Sequence, residues 1–253
     1  PYPLRRQRQM CIRDSAGFTA MGPLGPGTRM ERAAVLTMQG RSAEAAGDMQ
    51  QAASQCPSAG GMCDILALQA LAWRARQGVS VPGQEYQQVL DRALAAIDRD
   101  QPAPARRNAF IALAAAYHAL RAGQATVVMQ RRDALQALPE RDDDPRLREL
   151  WNLLQARMAL DAGETLRTQQ LLAQQPQASL FQWRVLQLDL LRSQGQHDAA
   201  QRQQRWLQHH AGLAFAENIG DYALLPLNVN DVQRLALMES PVASHSSPDA
   251  AAP

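Results

Sequence analysis

Apolar residues recur along most of this chain at the spacing of helix faces, and glycines interrupt them at intervals. Leu147, Leu150, Trp151, Leu154 and Met158 fall at i, i+3, i+4, i+7 and i+11, one continuous stripe on a helix. Leu180, Phe181, Trp183, Val185, Leu186, Leu188, Leu190 and Leu191 cover more than half the circumference of another, as a helix covered on two sides requires. Gly40, Gly78, Gly123, Gly163 and Gly195 each follow an Ala/Leu-rich stretch, and their separations are 38, 45, 40 and 32 residues. Gly can take the left-handed conformation that ends a helix. Pro57, Pro102, Pro139 and Pro176 close the next helical stretch in turn, because Pro cannot continue a helix. The alternation predicts helix, tight turn, helix, loop, repeated about five times. The expected pairs are 28–39 with 42–55, 63–77 with 83–98, 105–122 with 124–138, 145–162 with 164–174, and 179–194 with 197–209, the last running on toward 217.

One helix pair cannot bury its apolar face alone, so such pairs stack. In the first pair Ala33, Leu36, Gly40, Ala45, Met49, Ala52 and Pro57 stand at the spacing of the tetratricopeptide repeat, and the chain resembles that family from residue 28 to residue 207. Ala suits the sites where two helices touch, since a larger side chain holds them apart. The middle pairs depart from the pattern: Val79 to Pro82 form an insertion after Gly78, and the second helix of the fourth pair is short. The resemblance implies an all-α, right-handed solenoid of antiparallel helical hairpins whose first helices line a concave groove. Counting back from each turn glycine in that geometry makes Arg76, Tyr117, Leu120, Arg157, Asp189 and Arg192 the groove-facing candidates. Arg and Tyr often carry binding energy at interfaces, and an Arg fork suits a carboxylate. Beyond the array, 211–217 reads as an extension of the last helix and 220–230 as a loop broken by Pro226. A short helix over 231–238 is expected to cap the final hairpin. From Ser240 the Ser/Pro/Ala-rich tail reads as disordered.

Composition agrees with helix: hydrophobic residues are 46%, charged residues 20% and aromatics 5%, with β-branched residues sparse. No apolar run reaches the roughly 18 residues of a membrane-spanning helix. Residues 5–15 resemble a translated sequencing adapter, which makes 1–15 a foreign segment, 16–27 a linker and 28–210 the repeat domain, followed by 211–239 and the tail. Removing 5–15 takes away four arginines and one aspartate, and the formal charge moves from +2 to −1. The case for a nucleic-acid partner goes with it. The join also implies a missing native N-terminus, which leaves room for a signal peptide or an upstream output domain. The chain contains no lysine, so Schiff-base and P-loop chemistry are excluded.

Candidate chemistry is thin. Cys56 and Cys63 bracket a short glycine-containing loop between the first and second pairs, and their Cα atoms could come within disulfide range. The alternatives are a bonded pair in the periplasm or outside the cell, or two small residues packed at helix ends in the cytoplasm. No second Cys/His pair stands at zinc-ligand spacing. His118 lies on a helix in Ala-Tyr-His-Ala-Leu and reads as a packed or groove-facing residue. His209 and His210 diverge by about 100° on a helix and cannot share a metal. Asp142, Asp143 and Asp144 precede Pro145, where negative charge suits a helix N-terminus. No catalytic, cofactor or metal motif is present. The reading is therefore a non-enzymatic scaffold binding a protein or peptide partner, with no nucleic acid, membrane or cofactor, and with the cytoplasm favoured over the periplasm. The rival reading is the C-terminal sensor or scaffold region of a larger bacterial signalling or transcriptional protein.

Overall fold

A computed structural model describes residues 24–56, 61–98, 102–175, 179–217 and 222–237. The adapter-like segment 1–15, Pro57, Pro176 and the tail lie outside them. Every regular element among the described residues is a helix. The first two are α1 (Pro26–Met38) and α2 (Ser42–Ser54), followed by α3 (Met62–Arg76) and α4 (Gly83–Ile97). The long α5 (Pro102–Arg121) precedes three short helices, α6 (Ala125–Gln130), α7 (Arg132–Gln136) and α8 (Leu138–Arg141). Then come α9 (Pro145–Asp161), α10 (Thr165–Ala173), α11 (Phe181–Ser193) and α12 (His197–His209). The last two are α13 (Leu213–Ala216) and α14 (Leu225–Leu237). None is long and apolar enough to cross a membrane.

The five glycine stops work as their chemistry predicts. Gly40, Gly78, Gly123, Gly163 and Gly195 all have φ between +68° and +79°, a region costly for any residue with a Cβ. Each closes its helix with two backbone bonds. After α5, for instance, Gly123 N–H donates to Leu120 at 3.0 Å and Gln124 N–H to Ala119 at 2.8 Å, which satisfies carbonyls the helix end would otherwise orphan. Asp144 caps α9 by accepting from the Arg146 backbone N–H at 2.9 Å, the role expected of that acidic run.

Helices pack against their neighbours in chain order: α1 on α2, α2 on α3, α3 on α4, α4 on α5, α9 on α10 and α11 on α12. A second set of contacts joins α3 to α5, α5 to α9 and α9 to α11. At the centre lies α5, buried without interruption from Asn108 to Leu120. Six of those residues are alanines, which lets α3, α4, α6 and α9 approach it closely. Ala45 and Ala52 in α2 are fully buried too, as their placement at a helix contact requires.

Three elements differ from expectation. The helix predicted over 124–138 is broken at Arg131 (φ −120°, ψ 13°) and again after Gln136. The stretch 211–217 does not extend α12; a turn at His210 separates it as the four-residue α13. The final helix begins at Leu225 instead of residue 231, so Pro226 starts it and does not break a loop. The first turn tolerates Pro because its missing N–H had no helical partner to lose. Nor does this helix cap the last pair alone: α14 touches α1 and α3 as well as α11, α12 and α13.

Cys56 and Cys63 are disulfide-bonded with Cα atoms 5.5 Å apart, stapling the end of α2 to the start of α3. Closing so short a loop restricts the unfolded chain by about 2 to 3 kcal/mol. Cys63→Ala is expected to lower the urea unfolding free energy of the oxidised protein by about that amount, and reductant should not affect the variant. Equal stability of the oxidised and reduced parent would contradict the staple's contribution.

Candidate functional site

Four of the six residues singled out from the sequence lie against α14 or against side chains that hold it. Arg76, at the end of α3, donates to the Asn230 side-chain oxygen in α14. Arg157 in α9 bridges Asp161 at 2.9 Å and Asp189 of α11 at 2.8 Å. Asp189 in turn lies 3.7 Å from Arg234 of α14. Tyr117 is fully buried, and its hydroxyl donates to Gln182 Oε1 at 3.2 Å; burial raises its pKa. Leu120 is a core residue. Arg192 faces α12, donating to Gln204 at 2.8 Å. Four of the six, then, touch α14 or the side chains that hold it.

The centre of this surface is a polar cluster that sequence reasoning did not pick out. Arg121 reaches Asp231 with both terminal nitrogens at 3.1 Å. It also donates to Gln182 Oε1 at 2.6 Å. The Gln182 amide then donates to Asn228 Oδ1 at 3.0 Å and to Asp231 Oδ2 at 2.9 Å. Asn228 passes the chain on to the Ala214 carbonyl at 3.3 Å and Glu217 at 3.0 Å. Glu217 accepts the Phe181 backbone N–H at 2.6 Å, at the first turn of α11. Gln182, Asn228 and Asp231 are all at most 2% exposed, so each bond replaces one that water would have made.

The electrostatics favour the charged forms. Burial alone would push the Asp231 carboxyl up, but the Arg121 charge and hydrogen bonds outweigh it, and its pKa is lowered. Arg121 is likewise penalised by burial and held ionised by Asp231. Glu217 behaves differently: burial raises its pKa against the pull of its hydrogen bonds.

Two further contacts anchor the approach to α14. Gln69 Nε2 donates to the Tyr222 carbonyl at 3.0 Å. His118 Nε2 lies 2.8 Å from the Ala223 carbonyl; a carbonyl only accepts, so Nε2 carries a proton. Burial depresses the His118 pKa from 6.5 to about 4, and the Arg121 charge adds to that. His118 is thus a packed residue. Among the described residues no group of three His, Cys, Asp or Glu side chains could hold a metal ion.

No family model matches the chain, and neither a curated protein nor a solved structure does.

The depressed His118 pKa has a definite sign. The unfolded chain takes up a proton near pH 6.5 and the folded protein only near 4, so stability falls as pH drops through that interval. Between pH 6.5 and 5 the loss from this residue is about 2 kcal/mol. His118→Gln, whose amide can still donate to Ala223, is expected to flatten the fall in chemical denaturation; an unchanged slope would contradict the assignment.

Proposed function

We propose that this chain is a tetratricopeptide-like, right-handed solenoid of antiparallel helical hairpins, and that it acts as a non-enzymatic scaffold. In this reading it binds a helical segment of a protein partner along its concave groove. One observation supports it above the rest: a helix of the chain itself, α14, rests against the first helices of three pairs, α1, α3 and α11, as well as against α12 and α13. It contributes apolar side chains to three separate clusters. Leu227, with Leu224 just before the helix, joins the central core, Val229 packs with Ala34, and Val232 and Leu235 pack with Phe181, Val185 and Leu188. Between them the surface reads polar groups by direct hydrogen bonds, with Gln182 on Asn228 and Arg121 on Asp231. This is helix-in-groove recognition, in which apolar anchors give affinity and buried polar keys give specificity. A partner helix would need a carboxamide and a carboxylate three positions apart on its buried face.

The Cys56–Cys63 bond supports an oxidising compartment, the periplasm or the exterior, over the cytoplasm.

The groove reading is tested in the full chain carrying a protease site between Glu217 and Tyr222. After cleavage, a fluorescent peptide of residues 222–238 is expected to exchange with the resident helix and to saturate. The same peptide with Asp231→Arg should bind at least about tenfold more weakly, since it sets two charges of like sign together in a buried site. Failure of the parent peptide to exchange, or equal binding of both peptides, would overturn the groove as a helix receptor.

A further inference from the structure

His118 stands in the last turn of α5 and is 1% exposed. Its Nε2 meets the Ala223 carbonyl, in the segment that leads into α14. Ala223 and Leu224 join the same apolar cluster as Tyr117 and Ala119, the residues on either side of His118. The other ring nitrogen, Nδ1, is buried and has no hydrogen-bond partner among the described residues. A neutral ring can leave an acceptor unused, whereas an imidazolium must donate from both nitrogens. A proton on Nδ1 would bring both a charge and an unsatisfied donor into a buried site. With α14 seated, the ring is therefore neutral.

The charges around α5 do not provide for an imidazolium. Neither α5 nor α6 carries an acidic residue. The carboxylates on the other helices packed against α5 are already bonded. On α3 Asp64 meets Arg92, and on α4 Glu85 and Asp91 meet Arg74 and Arg131. On α9 Glu149 accepts from Ser179 and Asp161 meets Arg157. Asp189 of α11 is held by Arg157, and Asp231 of α14 by Arg121 and Arg234. Arg76 of α3 is engaged with Asn230. Arg121, three residues along the same helix, opposes a second positive charge on the ring.

We propose that His118 is an acid-operated release for α14: by taking up a proton it drives the segment 222–237 off α5 and frees the surface beneath. The inference rests on the reading of that surface as a groove for a partner helix, and adds the condition under which the groove is open. Lifting the segment breaks the bonds of Ala223, Tyr222 and Asp231 to α5 and α3, while the contacts of α5 with α3, α4, α6 and α9 stay in place. The direction follows from linkage. With α14 seated the His118 pKa is about 4, against 6.5 once water reaches the ring. The open state binds the proton more tightly, so each fall in pH between those values favours opening. From about pH 7 to about pH 5, His118 raises the opening constant about twentyfold. Glu217 acts in the opposite sense: burial raises its pKa, so a proton there favours the seated helix.

Native-state hydrogen exchange of the full chain, with no partner added, reads the release at about pH 7 and about pH 5, with protection corrected for the intrinsic rate at each pH. On acidification the protection of α14 amides is expected to fall about twentyfold further in the parent than in His118→Gln, which keeps Glu217 but cannot take up this proton. The α14 amides should also depend less on urea than those of α5, the mark of a partial opening. An equal pH response in the two proteins, or one urea dependence shared by α14 and α5 at the lower pH, would overturn the proposal. Should His118→Gln not fold, the imidazole nitrogen shifts of the parent decide. Nδ1 without a proton at about pH 6 is expected, and a ring already charged there would overturn the release. Because no partner is present, failure here leaves the groove reading intact, and failure of peptide exchange leaves the acid response to be read on its own.

Discussion

A buried carboxylate and the guanidinium that meets it hold the last described helix of this chain against its middle. Asp231 and Arg121 are 110 residues apart in sequence, and Asp231 is 2% exposed. Taking both charges out of water is expensive, and their attraction offsets that cost only when the remaining donors and acceptors are also satisfied. Gln182 and Arg234 do this at Asp231, the latter at 3.0 Å. Removing Asp231 would take away the carboxylate that Arg121 meets, the situation that costs about 3 to 5 kcal/mol in proteins. The pair thus specifies where α14 sits more than it adds net stability. The apolar side chains of α14 would accept many neighbouring registers, while the Arg121 fork accepts few.

What that helix rests on is made possible by small side chains. From Asn108 to Leu120 α5 has no exposed face, so it must be approached from all sides. Alanines at 109, 112, 114, 115, 116 and 119 make that approach short without leaving cavities. The larger residues on the same helix, Phe110, Ile111, Leu113, Tyr117 and Leu120, fill the spaces between the surrounding helices. The polar side chains at its C-terminal end, His118 and Arg121, are then presented to the segment that carries Ala223 and Asp231.

The elements governed by local chemistry were legible in the sequence. A left-handed residue at the end of a helix is a property of one position, so five glycines marked five turns, and each has positive φ. Helix boundaries followed to within a few residues for α1 to α5 and α9 to α12. The break at Arg131 carries no Gly or Pro and was not legible. Pro226 misled for the opposite reason: its effect depends on whether it falls in the first turn or later, and that depends on the packing of Leu224, Leu225 and Val229 against distant helices. Four of the six residues expected at the groove do gather around α14. Counting from turn glycines gave no sign that the chain's own last helix lies there. Gln182, Asn228 and Asp231 escaped notice because the bonds that join them to one another and to Arg121 span 46 or more residues. The available signal was the spacing of Asn228 and Asp231 with Leu224 and Leu235 on one helical face.

Native-state hydrogen exchange across Leu225–Leu237 tests the central claim most directly. If α14 is held by the Arg121–Asp231–Gln182 cluster, its amides exchange orders of magnitude more slowly than those of an unfolded chain. Amides of α14 that exchange at near-unfolded rates while those of α5 stay protected would contradict it.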